Sequence, residues 1–240
     1  MTKDLLIVAA GTGSRLKSAG NLKPLVEVQG TPLIARALNT AFQAGVNRAI
    51  VVTGYNADVL EKYLAGLSRR TGWRIDTVYN ADYQKPNGLS VLKAKDALKE
   101  TFFLTMCDHM VEKGLYDALL QHDLKADTVA LGVDRRMDNP FVDLEDVTKV
   151  QTDGAIIKEI GKMIPAYNAF DTGVFRATPA LFDAIEHAGA NTGDYGISGG
   201  MLQLAAQGKA IAVDIGAQNW IDVDSPEMLE MAEEWAKNQG

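Results

Sequence analysis

Ala9-Ala10-Gly11-Thr12-Gly13-Ser14-Arg15-Leu16, followed by Lys23-Pro24-Leu25, is the part of this chain best equipped for chemistry. Two glycines let the backbone fold closely and turn successive N–H groups to one side, and Thr12 and Ser14 add hydroxyl donors. Ala9 to Ser14 can therefore cradle a polyphosphate. Arg15 and Lys23 bring the positive charge that phosphates attract. A glycine-rich turn also opens dinucleotide-binding domains, but that fingerprint needs a small residue where Leu16 stands and a helix starting at once. Here Lys17 to Lys23, with Ser18, Gly20 and Asn21, reads as a loop. A Walker loop is excluded, because no Gly-Lys-Ser/Thr ending is present.

Carboxylates form the second group. Asp108 follows the apolar run Thr101 to Met106, at the strand end where open α/β sheets bind ligands. In Trp220-Ile221-Asp222-Val223-Asp224 the alternation would turn both acids to one side of a strand. Mg²⁺ takes one or two carboxylates with phosphate oxygens and water, which Asp108, Asp222 and Asp224 can offer. The structural alternatives are a turn role for Asp108 and a helix cap for Asp224 before Pro226. His109 invites a general-base role, but attack by an ionised phosphate needs no proton removal, so a hydrogen bond steadying its neighbour is preferred. Cys107, in an apolar run, reads as a small buried side chain rather than a nucleophile.

Pro86-Asn87-Gly88-Leu89-Ser90 breaks the chain before a helix, and its glycine lets a flat base lie against backbone whose N–H and C=O groups read the base edge. Capping of that helix by Asn87 is compatible with this. Lys149 and Lys162 suit a phosphomonoester, one on each arm of a hairpin. Asp171 and Asp194 are candidates to accept hydroxyl hydrogens from a polyol. Tyr167, Tyr195 and Trp220 offer a different possibility, a cage for a quaternary ammonium such as phosphocholine.

The elements that must position these residues alternate. Leu5 to Ala10 and Arg48 to Thr53 read as buried parallel strands, with a helix Pro32 to Ala44 between them, Thr31 as N-cap and Pro32 at its first position. A helix Asp58 to Ser68, strand Arg74 to Tyr79, helix Ser90 to Lys99, strand Thr101 to Met106, helix Lys113 to His122 and strand Asp127 to Val133 continue the rhythm. The fold class is α/β, a doubly wound, mostly parallel sheet. From Asp134 the pattern becomes more antiparallel: a hairpin of Thr148 to Gln151 and Ala155 to Ile160 around Asp153-Gly154, then a strand Phe170 to Arg176 and a helix opening at Thr178-Pro179. A helix Gly199 to Gln207, a strand Ala210 to Ile215 and an acidic helix from Pro226 follow. Residues 1–240 read as a single domain, 1–133 for the nucleotide and 134–240 as a small antiparallel acceptor-binding lobe on the same sheet.

At the loop motif the chain resembles the sugar-nucleotide pyrophosphorylases and cytidylyltransferases. The resemblance continues through Asn87-Gly88-Leu89-Ser90, Leu104 to His109, Ile160-Gly161-Lys162, Phe170-Asp171-Thr172-Gly173 and Trp220 to Asp224, in the order of the inositol-1-phosphate cytidylyltransferase branch. It implies that Lys23 and Arg15 act in catalysis, that Asp108 with Asp222 and Asp224 hold Mg²⁺, and that Gly88 and Ser90 border the base. It further implies that Lys162 meets the acceptor phosphate, that the base is cytosine and that the acceptor is inositol 1-phosphate. Choline or sugar phosphates rank next. Cys107 departs from the family's usual glycine before the aspartate.

Composition narrows the classes. With 24 Lys+Arg against 31 Asp+Glu, a net charge of -7, the chain has no overall positive field for nucleic acid. Its apolar runs are too short to span a bilayer, and Met1-Thr2-Lys3-Asp4 leads straight into a strand, so the expectation is a cytoplasmic protein without stable membrane insertion. One cysteine excludes an intrachain disulfide, and three scattered histidines give no zinc spacing. A dinucleotide-dependent oxidoreductase would want an acid ending the second strand, where Thr53-Gly54-Tyr55-Asn56 stands. A non-catalytic nucleotide sensor would have shed Lys23 or the aspartates, all of which remain. The expected partners are CTP and a small phosphorylated acceptor, with a homodimer left open.

Overall fold

A computed structural model describes residues 3–16, 20 and 22–238. The expectations for Met1, Thr2, Lys17, Ser18 and Asn21 lie outside the described residues. The first strand, β1 (Asp4–Val8), leads into two short 3-10 turns, Ser14–Leu16 and Lys23–Leu25. A tight ribbon of β2 (Glu27–Val28) and β3 (Thr31–Pro32) precedes α1 (Leu33–Gln43). Thr31 thus belongs to a strand rather than capping α1, and Pro32 occupies the cap position. Next come β4 (Arg48–Thr53), α2 (Ala57–Thr71), β5 (Ile75–Tyr79), α3 (Gly88–Lys93) and β6 (Phe102–Met106). The expected helix Ser90 to Lys99 therefore begins earlier and stops at Lys93.

A strand absent from the sequence reading, β7 (His109–Val111), is followed by α4 (Lys113–Gln121), β8 (Val129–Asp134), β9 (Lys149–Asp153), β10 (Ile156–Gly161) and β11 (Ala169–Ala177). The chain ends with α5 (Ala180–Thr192), α6 (Ile197–Ala206), β12 (Ala210–Asp214), β13 (Trp220–Asp222) and α7 (Pro226–Lys237).

Among the described residues the main sheet has nine strands in the order β5-β4-β1-β6-β11-β8-β12-β10-β9. It is parallel from β5 to β6 and again between β12 and β8, while β11 enters antiparallel to both its neighbours. The sheet is therefore mixed rather than mostly parallel. The hairpin of β9 and β10 extends the same sheet, so one framework carries both halves.

Side chains alternate along β1 as the pleat requires. Leu6 and Val8 pack with Val91, Leu181, Ile185 and Met201 from α3, α5 and α6, whereas Leu5 and Ile7 pack with Ile34, Leu38, Leu64 and Leu115 from α1, α2 and α4. Each such burial stabilises the fold by about 1.5–3 kcal/mol. A third cluster, with Leu16, Met110, Ile221, Val223 and Trp235, seats α7 beside the β7–β13 ribbon. No helix among the described residues is long and apolar enough to cross a membrane.

Candidate active site

A cleft of about 470 Å³ opens at the C-terminal ends of β1 and β6, and its lining includes Ala9, Gly11 to Arg15, Lys23, Asn87, Ser90, Asp108, Lys162, Asp171, Asp222 and Asp224. Gly13 has φ +56°, and a Cβ there would strike the Lys23 side chain, so only glycine allows both the turn and the approach of the lysine beneath it. Lys23 is 8% exposed, a depth at which an ammonium requires partners. Its Nζ pairs with both Asp108 and Asp224. Burial alone would lower its pKa, but Asp108 and Asp222 outweigh that and raise it, so Lys23 is a permanent cation.

The two acidic segments meet through the β7–β13 ribbon. Asp222 lies opposite His109 in the antiparallel register, and the Val223 N–H donates to Asp108 O at 3.0 Å. Asp224 follows the strand rather than continuing it. The cap of α7 is Ser225, whose Oγ accepts from Met228 N at 3.2 Å. That leaves Asp224 free to pair with Arg15 at 2.5 Å as well as with Lys23.

His109 Nδ1 lies 2.9 Å from Asp108 Oδ1 and 3.7 Å from Asp222 Oδ1. Withdrawal from water would lower the imidazole pKa, but Asp222 and Asp108 raise it to about 9, which leaves a protonated ring at neutral pH. Asp108, which burial would raise, is held well below the usual range by Lys23 and His109. Asp222 is lifted by burial, opposed by His109 and lifted further by the like charge of Asp108. The Cys107 thiol is pushed up by burial and by Asp108, as suits a packed side chain rather than a nucleophile.

Asp171 sits in β11 where the register with β8 shifts, a bulge that re-aims side chains. Gly173 in that bulge has φ +72°, and a Cβ on it would collide with the His109 ring. Its N–H donates to Asp171 Oδ1 at 2.7 Å, and burial pushes the Asp171 carboxyl up to about 6.

Other expected site residues are dispersed. Ala10 and Gly88 are buried but do not line the cleft. Asn87 lines it from the N-cap position of α3, but its side chain makes no capping bond; its Oδ1 accepts from Ile197 N at 3.0 Å, tying α3 to α6. Asp194 lies outside the lining, its Oδ1 accepting from Gly196 N at 2.8 Å within its own loop. Lys149 is likewise outside the lining, with Nζ donating to Lys162 O at 3.1 Å and lying 5.6 Å over the Tyr167 ring. The aromatic cage does not form. Trp220 is buried with Nε1 on Asp134, Tyr195 packs on Gly189 of α5, and Tyr167 packs beside Phe170.

Sequence reasoning missed Asp146. From the segment between β8 and β9, its carboxylate pairs with Arg15 at 3.0 Å and Lys162 at 2.5 Å, joining the glycine-rich loop to the end of the β9–β10 hairpin. The acidic run Asp143-Leu144-Glu145-Asp146 in an unassigned segment was the available signal. Carboxylate oxygens of Asp146, Asp222 and Asp224 lie within 4.8 Å of one another, as do ligand atoms of Asp108, His109 and Asp222. Oxygen groups converging beside a phosphate loop can hold a hard divalent cation and a nucleotide together.

Known proteins share this fold. The solved inositol-1-phosphate CTP transferase from T. maritima superposes with a TM-score of 0.82 at 26% identity, over 97% of each chain. The "Bifunctional IPC transferase and DIPP synthase" of Rubrobacter xylanophilus is 32% identical over 95% of this chain and 50% of its own. This chain thus spans about half the length of that relative. The "UTP--glucose-1-phosphate uridylyltransferase AglF" of Haloferax volcanii is 28% identical over 95% of this chain and 94% of its own, so similar chains carry names with different bases and acceptors. The family model for the MobA-like NTP transferase domain matches residues 5–194, and the chain, a nucleotidyltransferase by that match, belongs to this family.

Proposed function

We propose that this chain transfers a cytidylyl group from CTP to a phosphorylated polyol, inositol 1-phosphate first among them, with release of pyrophosphate. The observation that carries the reading is the meeting of Lys23 with Asp108 and Asp224 beneath the phosphate loop, in the same cleft that Lys162 and Asp171 line. The names of the T. maritima and R. xylanophilus proteins support the base and the acceptor.

Backbone N–H groups of Gly11 to Ser14 would hold the triphosphate, with Arg15 and Lys23 neutralising charge that builds on the departing pyrophosphate. Lys162 would orient the acceptor phosphate, and Asp171 would accept from a ring hydroxyl. The attacking oxygen is already anionic, so no side chain needs to remove a proton. The protonated His109 accordingly steadies Asp108 and Asp222 instead of acting as a base. Magnesium suits carboxylate oxygens such as those of Asp108, Asp222 and Asp224, and Asp222, which belongs to both converging clusters, has a buried Oδ1 without a hydrogen-bond partner. When bound, the ion would add positive charge at the phosphates.

Pyrophosphate release with each of CTP, UTP, ATP and GTP against inositol 1-phosphate, phosphocholine and glucose 1-phosphate tests the reading. Fastest turnover with CTP and inositol 1-phosphate is expected. Faster turnover with phosphocholine or glucose 1-phosphate would overturn the acceptor, and preference for another nucleotide would overturn the base.

A further inference from the structure

One buried polar side chain behind Ser90, in the wall of the cleft, has no part in the loop and carboxylate chemistry. Asn80, just beyond β5, is completely shielded from solvent, and its backbone N–H is anchored on Thr53 O at 2.8 Å. The orientation of its amide follows from its neighbours. The Asp82 backbone N–H, which can only donate, lies 2.9 Å from Asn80 Oδ1. The amide NH₂ therefore faces the other way and donates to Ser90 Oγ at 2.9 Å. Ser90, in the first turn of α3, is 4% exposed and lines the cleft. Among the described residues no side chain or backbone carbonyl accepts the hydrogen of its hydroxyl.

A free serine hydroxyl donates and accepts equally well, so it cannot distinguish a bare ring nitrogen from a ring N–H. Ser90 is not free in this sense. With one lone pair taken by Asn80, the arrangement that satisfies every group has Oγ–H donating into the cleft. Cytosine offers an acceptor at N3. Uracil offers a donor there, and to meet it Ser90 would have to accept twice, leaving its own hydrogen without an acceptor in a buried position.

We propose that Asn80 is a positioning residue for base selection: by donating to Ser90 it commits that hydroxyl to donating to cytosine N3 and sets it against uracil N3–H. The inference rests on the cleft being a CTP site whose base lies against Ser90 and deepens that reading, because the fold itself carries relatives named for either base. A buried donor left unpaired costs enough to shift relative affinity about tenfold or more.

Equilibrium binding of CTP, UTP and 3-deazacytidine triphosphate, with Mg²⁺ and without any acceptor, keeps the test independent of the acceptor assignment. The analogue retains O2 and the amino group but lacks the N3 lone pair. Wild type is expected to favour CTP over both other nucleotides by about tenfold or more. Asn80→Ala, or Asn80→Leu should the smaller residue unfold the protein, should bring the CTP-to-UTP ratio close to one while still binding triphosphate. Ser90→Ala should equalise CTP and 3-deazacytidine triphosphate. A general structural defect would weaken all three nucleotides together and leave the ratios unchanged. Retained selectivity in a folded Asn80 variant overturns the relay alone, as does wild type binding 3-deazacytidine triphosphate as tightly as CTP. Wild type binding UTP as tightly as CTP overturns the cytidine reading and the relay together.

Discussion

Trp220 Nε1 donates to Asp134 Oδ2 at 2.9 Å, and this bond ties the strand that delivers Asp222 to the end of β8. Asp134 is wholly buried and also accepts from Arg136 Nε and Nη2, at 2.9 Å each, and from Asn139 Nδ2 at 2.7 Å. Burial would raise its pKa, but the Arg136 hydrogen bonds outweigh that and hold it below its ordinary value.

Asp134→Ala removes the acceptor from donors on three residues, Trp220, Arg136 and Asn139, and should destabilise the protein by about 3 kcal/mol at pH 7. A carboxyl whose folded pKa is depressed contributes stability above its unfolded value and loses it as pH falls through the folded one. The gap between wild type and Asp134→Ala should therefore be full at neutral pH and shrink below about pH 4. Urea titrations at pH 7 and pH 3 measure it, and an equal gap at both would contradict an ionised Asp134.

Under the proposed function, Lys23→Ala should lower turnover by about 10²-fold or more, since a buried cation that faced the leaving pyrophosphate would contribute roughly 3 kcal/mol or more. Pyrophosphate release measures the rate, and circular dichroism checks folding. Activity within threefold of wild type would remove Lys23 from catalysis.

Asp108→Asn keeps the shape but loses the anionic oxygens that a hard divalent cation selects. Metal-dependent turnover should be lost and should not return in excess Mg²⁺. A magnesium titration identical to wild type would make Asp108 a turn residue only.

Asp146 pairs with Arg15 and Lys162, so under the proposed function it would compete with phosphate for both. Both cations are half exposed, so each pair is worth about 0.2–1 kcal/mol. Asp146→Asn should lower KM for the phosphorylated acceptor by up to about fivefold. A rise in KM would mean that Asp146 helps to hold metal or substrate.

Lys162→Ala should raise KM for every phosphorylated acceptor alike while leaving KM for CTP nearly unchanged, because the phosphate is common to all acceptors. Asp171→Asn should instead discriminate, weakening a polyol phosphate more than phosphocholine. Steady-state kinetics with both acceptors separates the two roles.

The phosphate loop, the buried strands β1 and β4 and the carboxylate at the end of β6 were legible in the sequence, because each is a local pattern: glycines with hydroxyls after an apolar run, continuous apolar residues, an acid where such a run ends. Gly13 shows the limit of that legibility. Its spacing pointed to a phosphate cradle, yet its need for glycine comes from Lys23, ten residues on and packed against it.

By itself the sequence determined which residues could bear charge and which strands had to be buried, since burial period and turn chemistry act over a few neighbours. It could not announce β7, three residues long, because so short a strand exists only through its pairing with β13, more than a hundred residues away. That pairing decides that Asp222 lies opposite His109, next to Asp108 in the chain. In the same way, packing of α6 against α3 placed Asn87 on Ile197 and left Asp194 bonded within its own loop, and the segment after β8 brought Asp146 to Arg15. These are contacts between distant parts of the chain, whose partners are chosen by how the buried faces close together, and only the closed tertiary structure decides them.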